Sequence, residues 1–118
     1  MRLDELKAWL GDALAQLDDE QLALLQRESD RLDRIYPEED EIPLWTAAMS
    51  ATVQYVLGET TVDEVGKALG KARWELALAM AAAKQVAVVA TQSPSVTDPQ
   101  ASFQAGIDRK SLVTYRAL

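Results

Sequence analysis

TVDEVGKALGKARWELALAMAAAKQVAVVA, residues 61–90, decides the fold of this chain. Val62, Val65, Leu69, Ala72, Leu76, Ala79, Ala83, Val86 and Ala90 recur at alternating spacings of three and four, the period of an apolar helical seam held over about four heptads. Thr61 followed three residues later by Glu64 forms a capping box, a helix start signal. Alanines fill much of the seam, and Gly66 and Gly70 sit beside it, so another helix can approach closely. A long helix is predicted here, one against which the N-terminal helices pack or a second subunit docks. A break at Gly70 is the alternative.

Upstream, Leu3, Leu6, Leu10, Leu14 and Leu17 form one stripe with Trp9 and Ala13 beside it, an amphipathic helix with Gly11 as an internal weakness. Asp18 and Gln21 make another capping box, opening a helix to about Ile35 that buries Leu22, Leu25, Leu32 and Ile35. Two helices joined so tightly should form an antiparallel hairpin. Tyr36-Pro37 stops the second, and EEDEIP forms an acidic connector to Pro43. A third helix, Leu44 to Leu57, turns Trp45, Ala48, Met49, Thr52, Val53 and Val56 inward and stops at Gly58. The three tryptophans, Trp9, Trp45 and Trp74, read as core or interface anchors. The expected class is therefore all-α: a helical-bundle body over residues 1–90 with one long Ala-rich helix, a polar linker at 91–97, and a short helical hairpin at 98–118.

Composition limits the chemistry. The 118 residues are 48 % hydrophobic and 26 % charged, ordinary for a folded domain. Cysteine and histidine are both absent, which removes thiolate metal sites, the commonest general base and the usual zinc ligand. Glu38 and Glu41 have the ExxE spacing of magnesium-dependent helical pyrophosphatases, but Pro37 and Pro43 bracket them, and Glu59 and Asp63 miss the complementary spacing. No phosphate-cradling glycine loop is present. The expectation is a protein that is not an enzyme, with no cofactor and no metal. No segment reads as a signal peptide or a membrane span, so a cytoplasmic location without a membrane partner is expected.

Net charge is −7, unevenly spread. Residues 1–60 carry five basic and fourteen acidic side chains, a net of −9; residues 61–118 carry seven and five, a net of +2. Such asymmetry implies different partners for the two ends, or a simple solubilising role for the acids.

The tail, DPQASFQAGIDRKSLVTYRAL, resembles the second and third helices of the helix-turn-helix superfamily. Gly106 stands at the turn, where positive φ is needed, and the small Ser102 stands four residues before it. Ala101, Ala105, Ile107, Leu112 and Tyr115 supply the apolar positions. Asp98-Pro99 reads as the first helix start and Asp108 as the second cap. The resemblance implies a DNA-binding role for Arg109, Lys110, Val113 and Thr114 on the outer face, with Arg116 as a further backbone contact. It also requires the end of the long helix, Lys84 to Ala90, as the first helix of the module. Phe103 departs from the pattern, standing where the family exposes a polar residue. TVDEVGKALGKARWEL resembles a second such motif, but Lys71 occupies an apolar slot, and the uninterrupted helix is the better reading.

Together these features lead to a small DNA-binding protein, a transcriptional regulator built on a homodimer joined through the Ala-rich helix. The alternative is a protein-interaction module (adaptor, antitoxin-like or anti-factor) that offers the acidic N-terminal helices to a basic protein partner.

Overall fold

Helix α1 (Leu3–Leu10) is shorter than its leucine stripe predicts. Gly11 takes φ +55° and turns the chain into a 3-10 segment, Gly11–Gln16. Glycine alone enters that conformation without a Cβ penalty, so the helix breaks at its weakest residue. Leu14 and Leu17 still pack against the core from the tighter segment. Asp18 then starts α2 (Asp19–Ile35). The Gln21 backbone N–H donates to the Asp18 carboxylate at 2.7 Å, and the Asp18 N–H donates to the Gln21 side chain at 2.9 Å. This exchange satisfies amide donors that a helix start otherwise leaves unpaired. Past Pro37, a 3-10 turn (Glu39–Glu41) leads into α3 (Ile42–Val56), with Pro43 in a first turn that needs no N–H from it.

The computed structural model describes residues 1–118, all helical or irregular and without a strand. Two compact units emerge, Met1–Val65 and Gly66–Leu118. The core of the first joins Leu6 and Leu10 of α1, Leu25 and Leu32 of α2, and Trp45, Met49 and Val53 of α3. The Trp45 indole N–H donates to the Asp33 carboxylate at 2.9 Å, and its ring meets Trp9 edge-on at 5.6 Å and 83°. An indole can be buried this way because its polar edge keeps a partner. Ile35, predicted to be inside, is exposed where the stripe runs off the end of α2.

Helix α4 (Val62–Ala90) runs unbroken through Gly70 for 29 residues. The Glu64 N–H donates to the Thr61 hydroxyl at 3.1 Å, one half of the predicted capping box, while the Glu64 carboxylate accepts from the Thr60 hydroxyl at 3.4 Å. Its seam departs from expectation in one respect. Every residue from 61 to 82 is exposed, Trp74 included, and Ala87 alone is buried in α4. No helix is long and apolar enough to cross a membrane.

In the second unit, Thr97 rather than Asp98 caps α5 (Asp98–Ala105). The Gln100 N–H donates to the Thr97 hydroxyl at 3.3 Å, and the Thr97 N–H donates to the Gln100 side chain at 2.9 Å. The cap lies one residue earlier than predicted, and the Asp98 carboxylate is left for another partner. Helix α6 (Arg109–Arg116) closes the chain.

Candidate nucleic-acid interface

Gly106 joins the last two helices at φ +71°, ψ +25°. The Ile107 N–H reaches back to the Ser102 carbonyl at 3.0 Å, a helix-ending bond that this left-handed residue permits. A Cβ placed there would meet nothing within 4 Å, so the glycine is required by backbone conformation and not by space. A residue with a side chain would cost about 1 kcal/mol or more there.

Leu112 of α6, fully buried, packs with Ala101 of α5 and Ala87 of α4; Val88, Val96, Ala105 and Ile107 close the cluster from its edges. The end of α4 thus supplies a third wall for the hairpin. Ser102, 4 % exposed, donates its hydroxyl to the Asp98 carbonyl at 3.1 Å, which lets a polar residue occupy a tight position without an unpaired group. The Tyr115 hydroxyl donates to the Gln85 side chain at 2.9 Å, tying α6 to α4.

Asp108 caps α6 through the Ser111 backbone N–H and hydroxyl, both at 2.7 Å. The side-chain bond first, then the backbone bond, hold its carboxyl below the usual carboxylate range. Beyond this cap, Arg109, Lys110, Val113 and Thr114 are all exposed. A shallow groove beside them is lined by Lys84, Lys110, Ser111, Thr114, Tyr115 and Leu118. Lys84 is a second cation beside Lys110 that the tail pattern did not include. It belongs to α4, 26 residues away in sequence, and only its place just before the Gln85 anchor could have marked it.

Arg116 has a partner within the hairpin. Its guanidinium forks onto the Asp98 carboxylate at 2.7 and 2.9 Å and touches the Thr91 hydroxyl at 3.4 Å. The hydrogen bond to Arg116 is the main cause that lowers the Asp98 pKa, and the same bond raises that of Arg116. The pair joins the first residue of α5 to the last of α6, a geometric clasp for the hairpin. No family model, curated protein or solved structure matches this chain. The site therefore stands on its own geometry.

Phe103 is 89 % exposed. Glu38 and Glu41 are used in a local cap, the Glu38 N–H donating to the Glu41 carboxylate at 3.3 Å. No three acidic side chains converge as metal ligands do.

The clasp has a pH signature. A carboxyl whose folded pKa lies below its unfolded value stabilises above the unfolded value, and that contribution disappears as pH falls through the folded one. Thermal melts of wild type and Asp98→Asn should therefore differ at neutral pH and converge in acid, below the ordinary carboxylate range. Equal melting temperatures at neutral pH would show that the clasp contributes nothing.

Proposed function

We propose that this protein is a small DNA-binding regulator of transcription that docks α6 against duplex DNA and works as a homodimer. The observation that carries this reading is the joint exposure of Arg109, Lys110, Val113 and Thr114 on one short helix, while the competing charges nearby, Arg116 and Asp108, are engaged by Asp98 and Ser111. Arg109 and Lys110 fit phosphate oxygens or guanine edges. Val113 and Thr114 fit thymine methyls and base edges. Lys84 adds a phosphate contact from the groove, and Arg116 holds the hairpin closed. No cofactor enters the scheme.

Charge supports the same division of labour. Residues 66–118 hold seven basic and three acidic side chains, a net of +4; residues 1–65 hold five and sixteen, a net of −11. The −11 unit also favours a second reading, in which the acidic helices dock a basic protein partner as an adaptor, antitoxin-like or anti-factor module would. One molecule can do both.

Titration of the protein against pooled genomic duplexes between ~50 and ~200 mM salt tests the first reading. Three phosphate contacts per hairpin, from Arg109, Lys110 and Lys84, correspond to a log–log salt slope of about −3 per bound hairpin. Absence of binding at ~50 mM salt would remove DNA from the picture and leave the acidic unit as the functional surface.

A further inference from the structure

We infer that the groove between the end of α2 and the start of α3 takes an arginine side chain from a basic protein segment. This deepens the second reading above, in which the acidic unit docks a basic partner, and rests on it.

The groove follows from how the chain leaves α2. Tyr36-Pro37 ends that helix, and the 3-10 turn Glu39–Glu41 redirects the chain before α3 begins. Between the turn and the helices lies a space of about 460 Å³, within the roughly 300–1,000 Å³ of ligand sites. Its whole lining belongs to the first unit, so its shape is set there. Trp9, Tyr36 and Trp45 supply aromatic wall, and Asp33, Glu38 and Glu39 supply charge. No lysine or arginine lines it.

Two features select the occupant. The first is an aromatic corner, formed by the rings of Trp9 and Trp45 at 83° with centroids 5.6 Å apart. Asp33 fixes this corner, accepting from the Trp45 indole N–H at 2.9 Å, and the Met1 ammonium donates to the same carboxylate. Asp33 is thus spent on structure, while Glu38 and Glu39 stand exposed at the rim. A guanidinium suits that combination. It is planar and weakly hydrated, stacks on an indole face and forks onto carboxylates, whereas an ammonium is a strongly hydrated point charge. The second feature is the run of acids that continues from the rim, Glu38-Glu39-Asp40-Glu41. With the net −11 of residues 1–65, it repels phosphates and attracts a partner carrying several cations. A basic protein segment meets that requirement; a nucleic acid or a lone amine does not.

The chain has three tryptophans, and Trp74 lies in the other unit, so its indole N–H signal is an internal control in a ¹⁵N-labelled sample. The probes are acetylated, amidated Gly-Arg-Gly-Arg-Gly, its lysine counterpart, and its citrulline counterpart, which keeps the shape of arginine without the charge. The arginine peptide should shift the Trp9 and Trp45 signals and leave Trp74 in place. The lysine peptide should bind several-fold more weakly, and the citrulline peptide should not bind. Glu38→Gln with Glu39→Gln should weaken the arginine peptide by about 5-fold at low salt, as the loss of two partly exposed ion pairs does. Asp19→Asn with Glu20→Gln, which removes the same charge from the first turn of α2, should cost under about 2-fold. Both pairs keep their hydrogen-bond acceptors, and unchanged indole positions in the free variants check that the corner is intact. Silent Trp9 and Trp45 signals, equal affinity for the arginine and lysine peptides, or equal losses from the two variant pairs would overturn the groove. A cationic peptide that binds with those signals silent would leave the basic-partner reading standing without the groove. No binding of either cationic peptide would remove both.

Discussion

Replacing Arg109 and Lys110 together with alanine is expected to weaken binding to duplex DNA by at least ~10-fold while leaving the melting temperature nearly unchanged. Each phosphate or base contact is worth about 1–3 kcal/mol, so the loss of two can exceed a hundredfold. Stability should not follow, because neither side chain supports the fold. Both are exposed, and both place positive charge at the positive end of the α6 dipole, where it is mildly unfavourable. The cap that α6 needs comes from Asp108 and Ser111. The salt slope should flatten by one to two units per hairpin if both cations sit on phosphates. Fluorescence anisotropy on one labelled duplex, with calorimetry on the same samples, measures both quantities. A double variant that binds like wild type would leave the hairpin with a purely structural role, closing the end of α4.

Leu112→Ala should have the largest effect on stability. Leu112 is fully buried and is the only large side chain at the centre of a cluster otherwise built from Ala87 and Ala101. Truncation of a buried leucine costs about 2–5 kcal/mol, and the alanines around it cannot collapse into the space. A unit of this size has only a few kcal/mol in hand. The hairpin should therefore lose cooperative melting and any DNA affinity at neutral pH. The first unit should keep its core, and the edge-on Trp9–Trp45 pair offers a near-ultraviolet dichroism signal that should persist. Loss of that signal together with the hairpin would show that the two units fold as one; retention of wild-type melting would show that Leu112 is not the keystone.

Local signals carried the fold because their physics is local. The capping pairs Asp18–Gln21 and Thr61–Glu64 each satisfy amides within four residues, so they act wherever they occur. Pro37 and Gly106 set backbone conformation without reference to distant neighbours. The heptad from Val62 to Ala90 is likewise enough to make a helix. At Gly11 the first helix stops short of its leucine stripe, and at Thr97 the cap falls one residue before the predicted Asp98.

What a stripe faces is a different matter. A 3.6-residue period says that one side wants cover, not what provides it, and along α4 the residues from 61 to 82 are exposed. The roles of Arg116 and Lys84 were hidden for the same reason. Arg116 reads as a free cation at the end of a helix until folding brings it to Asp98, eighteen residues back. Lys84 reads as one more charge on α4 until α6 lies beside it. Sequence by itself determined which segments are helical and where most of them stop, because caps, turns and periodicity act over a few residues. Tertiary structure alone decided which charges are left to meet a partner, because a charge is spent or free according to neighbours that only packing brings near.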